Sequence, residues 1–161
     1  YNPTEEWRPA GIAENETGAA VDDAVQGRII LPTGSLSVKE LVSLLDSVPV
    51  DITFVDAEDT VRYFSQGKDR IFTRSKAIIG RKVQQCHPPA SVATVQKIID
   101  DFRAARRDRA SFWINHKGRF VLIEYFAMRD GQGTYLGTME VSQDLTDKRK
   151  LEGEQRLLSY K

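Results

Sequence analysis

Residues 119–146, RFVLIEYFAMRDGQGTYLGTMEVSQDLT, read as two strands joined by a glycine-rich turn. RFVLIEYFAMR splits into two alternating sets, Val121, Ile123, Tyr125 and Ala127 against Leu122, Glu124, Phe126 and Met128. A period of two is the signature of a strand whose faces meet different surroundings. DGQG offers the glycines that a tight connection needs, and TYLGTMEVSQD continues as the next strand. Upstream, ASFWIN at 110–115 and the turn HKG add a third strand to this antiparallel meander.

Outward from the meander the pattern changes. In SVATVQKIIDDFRAAR, residues 91–106, Val92, Val95, Ile98, Ile99 and Phe102 recur at helical spacing, with Gln96, Lys97, Asp100, Arg103 and Arg106 on the other side. Before it, QGKDRIFTRSKAIIGRKV suits short helical turns, and DITFVDAEDTVRYFS at 51–65 suits a hairpin with Ile52 and Phe54 on one face. Ser35 offers an N-cap for LSVKELVSLLDSV, whose Leu36, Leu41, Leu44 and Leu45 weight one side. GRIILP at 27–32 suggests a short strand, and residues 1–27 read as linker or arm. After DLT, Thr146 is placed to cap a charged helix in which Leu151 and Leu158 form a short apolar seam. This order predicts an α+β domain: a five-stranded antiparallel sheet, helices on one face, and flanking N- and C-terminal helices. Its expected parts are an arm over 1–33, a domain over 34–146 and a helix over 147–161.

Composition narrows the function. Lys plus Arg and Asp plus Glu each number 23, a formal balance that argues against a general nucleic-acid binder. The basic run RAARRDR at 103–109 is read as the polar end of a helix, where cations complement the dipole. No apolar run approaches membrane-spanning length. One cysteine allows no internal disulfide and fits a reducing, cytoplasmic setting.

Several stretches together resemble a PAS domain: DITFVDAEDTVRYFS, AIIGRKVQQCHPP, and MRDGQGTYLGTMEVSQDLT. YFSQGKDRIFTR, GRKVQQCHPPASV, FWINHKGRF and EYFAMRD are similar, more narrowly, to the C-terminal PAS module of bacterial and archaeal proteins that also carry a hemerythrin-like domain. The resemblance covers about residues 36–160. It implies a sensory module in which the sheet and short helices enclose a pocket for a small molecule or cofactor. Occupancy is passed on through flanking helices, often within a homodimer, and the N-terminal arm becomes a tether from an upstream domain.

Cys86-His87 is the one pair that hints at chemistry. In flavin-binding photosensors of this family the reactive cysteine lies three residues past a glycine. Here Val83 holds that place after Gly80, so flavin is disfavoured. Neighbouring side chains in a turn seldom face each other, so a nucleophilic pair is disfavoured too, and the chain is not read as an enzyme. His87 precedes Pro88 and Pro89, which bias it to extended backbone at the mouth of the long helix. There it is a candidate ligand contact, or an axial ligand if the cofactor is heme; the plainer role is a hydrogen bond at the helix start. His116, in the turn NHKG, is expected to face water, and no protein metal site is assigned. Alignment with other PAS domains turns Val121, Ile123, Tyr125, Trp113, Asn115, Thr138, Glu140 and Ser142 inward. A buried Glu140 then needs a partner such as Arg74, unless the register slips by one and leaves it solvated. The expected ligand-binding set is His87, Phe72, Arg74, Phe102, Trp113, Ile123, Tyr125 and Glu140. The alternative is a ligand-free module with a filled core that serves interaction and dimerisation.

Overall fold

The computed structural model describes residues 27–159, so most of the expected arm lies outside the described residues. The described residues divide into two compact units, one ending at Ser47 and the other beginning at Val48. In the first, β1 (Arg28–Leu31) and β2 (Gly34–Ser37) form an antiparallel hairpin, followed by α1 (Val38–Ser47). The cap of α1 is Ser37 rather than Ser35. The Ser37 hydroxyl accepts from Glu40 N at 3.2 Å and the Glu40 carboxylate accepts from Ser37 N at 2.7 Å, a reciprocal capping box. Ser35 instead sits in β2, where its hydroxyl accepts from Arg28 Nε at 3.0 Å.

The second unit is a five-stranded antiparallel sheet in the order β4-β3-β7-β6-β5. Its strands are β3 (Asp51–Asp56), β4 (Val61–Phe64), β5 (Arg109–His116), β6 (Arg119–Arg129) and β7 (Tyr135–Asp144). The period of two in β6 is realised directly: Val121, Ile123 and Tyr125 are buried and their alternates are less so. Their cross-strand partners then share the face. Tyr125 pairs with Glu140, which pairs with Thr53; Ile123 pairs with Ser142, which pairs with Asp51. On β3 the buried face is therefore Asp51, Thr53 and Val55, while Ile52 and Phe54 lie on the opposite face.

Helix α2 (Pro89–Arg103) covers the buried face with Val95, Ile99 and Phe102. Val55, Val61, Val83, Val95 and Ile99 form one cluster; Phe102, Val121, Ile123 and Tyr125 form another, with Ile71, Phe72 and Ile98 packed against it. Between β4 and α2 the chain makes 3-10 turns at Lys76–Ile78 and Val83–Cys86. This segment runs back along β4, with Val61 N donating to Arg81 O and Gly80 N to Val61 O, both 2.9 Å. Gly80 turns there at φ +84°, a left-handed conformation that suits glycine.

The C-terminus differs from the expected helix. Thr146 does not cap one: its hydroxyl accepts from Phe120 N at 2.9 Å, and its own N–H donates to Asp144 at 2.9 Å. DLT is thus a side-chain turn that pins the end of β7 to the start of β6. Among the described residues after it are a 3-10 turn at Lys148–Lys150 and another at Leu157–Ser159, and Leu151, Leu157 and Leu158 are exposed. Gly153, at φ +64°, interrupts the segment, and the apolar seam is too short to bury itself.

Gly137 is the tightest point of the sheet. A Cβ there would lie 2.1 Å from Val55 O, at a backbone φ of +144°. Gly137→Ala is expected to lower unfolding free energy by at least ~2 kcal/mol, since backbone atoms cannot step aside. Urea denaturation measures this, and wild-type stability in the variant would contradict the packing described.

Candidate functional site

A small cavity of about 20 Å³ lies between α2 and the sheet, inside the first apolar cluster. Sheet residues Thr53, Val55, Val61, Tyr125, Thr138 and Glu140 line one side. Val95, Ile98 and Ile99 of α2, with Val83, Cys86, His87 and Arg74, line the rest. The space is on the scale of a water molecule rather than of the roughly 300–1,000 Å³ pockets that hold organic ligands.

Its polar wall centres on Arg74 and Glu140. Arg74 Nη2 donates to Glu140 Oε1 at 3.0 Å, and the two side chains are 16% and 14% exposed. The register of β7 turns Glu140 inward, and the segment after β4 brings Arg74 over it. Tyr125 stands opposite Glu140 in the ladder; burial, then the negative charge of Glu140, push the phenol far above its ordinary value. Arg74 Nε is buried with no hydrogen-bond partner.

A second arginine stands beside the first. Arg70 Nε lies 3.9 Å from Asp51 Oδ2 and donates to Phe72 O at 2.9 Å, while its Nη2 reaches Thr53 Oγ1 at 3.4 Å. Burial lowers the Arg70 guanidinium from its ordinary value, and the Asp51 carboxylate opposes that shift. Two largely shielded cations thus face two largely shielded carboxylates, the four side chains 10–16% exposed.

His87 is extended, with φ −116° and ψ +147°, as a residue before proline is biased to be. Its Nδ1 lies 3.0 Å from Val83 O, so that nitrogen carries the hydrogen and Nε2 is the acceptor of the neutral ring. Cys86 Sγ is 3.7 Å from Lys82 O and packs against the first apolar cluster, which leaves the pair without nucleophile–base geometry. For heme, the nitrogen fits and the space does not: an Nδ1–H···O=C bond is the usual support of an Nε2 ligand, but about 20 Å³ admits no porphyrin. Among the described residues no group of three or more His, Cys, Asp or Glu is arranged to hold a metal ion.

The structure gathers Arg74, His87, Tyr125 and Glu140 around the cavity and leaves the other four proposed residues elsewhere. Phe72, Phe102 and Ile123 pack in the second apolar cluster, beside the cavity but not on it. Trp113 is a correction. It pairs with Leu122, whose side of the sheet is the outer one, and it is 64% exposed. Asn115 faces outward with it, and the inward set on β5 is Ala110, Phe112, Ile114 and His116, with Phe112 stacked on Tyr125 at 5.9 Å. His116 is half-buried, its ring 5.1 Å from that of Phe72, rather than facing water. Thr53 and Val55 were hidden from sequence reasoning because Ile52 and Phe54 are the more apolar pair. The pairing of β3 with β7 is the signal that places them.

Residues 41–146 match the family model for the PAS domain. The chain belongs to the PAS domain family. The C-terminal domain of a Streptococcus mutans protein is 31% identical, with a TM-score of 0.72 over 78% of this chain and 97% of that one. The PAS domain of a Colwellia psychrerythraea protein shares the fold at 17% identity and a TM-score of 0.52, covering 68% of this chain and 97% of its own. The PAS domain of Bordetella pertussis BvgS does so at 17% and 0.50, over 70% of this chain and 88% of that one. No curated protein matches the chain. No helix among the described residues of this PAS domain is long and apolar enough to cross a membrane.

Breaking the Arg74–Glu140 pair leaves one buried charge without its partner, a change that typically costs ~3–5 kcal/mol. Because Arg70 and Asp51 remain close by, Arg74→Met is expected to lose ~2–3 kcal/mol of stability. Arg74→Met combined with Glu140→Leu should recover most of it. A double-mutant cycle by chemical denaturation reads the coupling. Additive single effects would show that the two side chains act separately.

Proposed function

We propose that this PAS domain is a sensory module that takes up a small molecule between α2 and the sheet and relays its occupancy through the flanking segments. The observation that carries the reading is a charge-balanced polar group, Arg74, Glu140 and Tyr125, set beside the valines and isoleucines of the cavity. Pockets that recognise small molecules combine those two features, mostly apolar lining with a few convergent polar groups. The reading takes the domain to be a non-enzymatic, cytoplasmic homodimer joined to an upstream domain. Its motifs favour the C-terminal position in a hemerythrin-associated protein, in keeping with the Streptococcus mutans relative being a C-terminal domain. Nucleic acid is not a proposed partner. Three of the four arginines of the basic run, Arg103, Arg106 and Arg109, pair with Asp59, Asp101 and Glu124, which lowers its cationic character.

A second reading has one observation in its favour. A space of about 20 Å³ also suits a filled core, and the domain would then serve interaction alone. Native mass spectrometry of the purified protein separates the two. The sensory reading expects a bound small molecule, and His87→Ala should weaken its binding by at least ~1 kcal/mol, about fivefold. Cys86→Ser should leave binding and fold nearly unchanged. Only apo masses across samples prepared from cells and cell extracts would favour the filled core.

The homodimer is checked separately. Sedimentation equilibrium should show dimers, and removal of residues 147–161 should weaken them, because the exposed Leu151, Leu157 and Leu158 lie in that segment. Monomers both with and without the segment would end the proposal that it couples subunits.

A further inference from the structure

The two edges of the five-stranded sheet differ. The segment that follows β4 closes one of them, with Val61 N donating to Arg81 O, Gly80 N donating to Val61 O, and an antiparallel bridge between Thr60 and Lys82. β5 forms the other edge, and among the described residues it pairs with β6 alone. One bond shows which of its backbone groups are free. Ala127 N donates to Asp108 O at 2.9 Å, so the alternation of an antiparallel ladder bonds Ala110, Phe112 and Ile114 to β6 as well. The N–H and C=O groups of Arg109, Ser111, Trp113 and Asn115 point the other way, off the sheet. Natural sheet edges are blunted by proline, lysine, a bulge or a very short strand. β5 is eight residues long, runs in unbroken register and contains neither proline nor lysine. Phe112, Trp113 and Ile114 at its centre are 39%, 64% and 36% exposed, so both faces of the strand are open here.

We infer that β5 pairs antiparallel with β5 of a second copy of this chain, about a two-fold axis at Phe112, making one continuous sheet with five strands from each copy. The inference rests on the homodimer reading above and names its contact. A second copy is the fitting occupant because the arrangement closes. Each copy offers one open edge and covers the other with its own segment around Gly80 and Lys82, so two copies leave no edge for a third. In this register Arg109 stands opposite the partner's Asn115, and Ser111 opposite the partner's Trp113. All four residues with free backbone groups are then bonded, and Phe112 meets the partner's Phe112 across the axis, an aromatic pair. A slip of two residues keeps the faces matched but fits worse. In one direction it sets Arg109 against the partner's Lys117, opposing two cations, and in the other it carries Asn115 past the end of the strand. Arg149 and Lys150 line a cleft with Asn115 and Gly118, which brings the segment carrying Leu151 next to this edge.

Amide hydrogen exchange on the full chain, read by NMR at low and high protein concentration, tests this beside sedimentation. Raising the concentration should slow exchange at Ser111, Trp113 and Asn115 at least about tenfold. The amides of Phe112 and Ile114, already bonded to β6, should be protected at both concentrations. Ser111→Pro removes a free N–H without touching the β5–β6 ladder, and should weaken the dimer at least about tenfold. Trp113→Lys, at an exposed position, should weaken it likewise, and takes the place of the proline variant if that one unfolds. Dimers whose Ser111, Trp113 and Asn115 amides stay unprotected would overturn the edge contact and leave the homodimer reading standing. So would dimers that both substitutions leave intact. Oligomers larger than two would overturn the closed arrangement, and monomers at every concentration would end both readings.

Discussion

Two arginines hold the segment between β4 and α2 onto the sheet, and the interior is arranged around them. Asp51 and Glu140 both stand on the inward face because β3 and β7 are paired in the register that buries Val55 and Thr138. A carboxylate in that position needs donors. Asp51 receives Ile71 N at 2.8 Å and Phe72 N at 3.2 Å, and Glu140 receives Arg74. Meeting those needs fixes where the segment runs. Ile71 and Phe72 are delivered to the second apolar cluster, and the chain then continues along β4 to Val83 and the start of α2.

The cavity is a consequence of this layout. Its floor is the sheet, whose central strands β3, β7 and β6 are held by ladder pairing on both sides. Its roof is Val83 to His87 and α2, which rest on side-chain packing and few backbone bonds to the sheet. Elements with fewer hydrogen bonds open at lower free energy. A ligand larger than the present space would therefore enter by lifting the roof, and the sheet would keep its register.

The charge balance of the chain is realised locally. Arg103 reaches Asp59 at 2.6 Å across the β3–β4 turn, Arg106 reaches Asp101 at 2.7 Å, and Arg129 reaches Asp108 at 3.0 Å. Most of these pairs are partly exposed and worth little each in stability. The buried pairs act differently, by specifying which backbone path satisfies them.

The amino-acid sequence alone determined the features that repeat along a single strand or helix. The alternation in RFVLIEYFAMR, the helical face of Val95, Ile99 and Phe102, and the proline-set backbone of His87 follow from local geometry, where each residue constrains its neighbours. Even the need of Glu140 for a cation was legible, because a carboxylate on a buried face has few solutions. Other features needed a partner from a distant part of the chain. Trp113 and Phe112 are both apolar neighbours on β5, and only pairing with β6 decides which one turns inward. Ser35 and Ser37 are equally good caps until the hairpin claims the first. Phe72, Phe102 and Ile123 all lie on the helix-covered side of the sheet, yet tertiary packing alone divides that interior into a filled cluster and a cavity. Periodicity states that a side chain must be buried; the cross-strand register and the two arginine–carboxylate pairs decide what it is buried against.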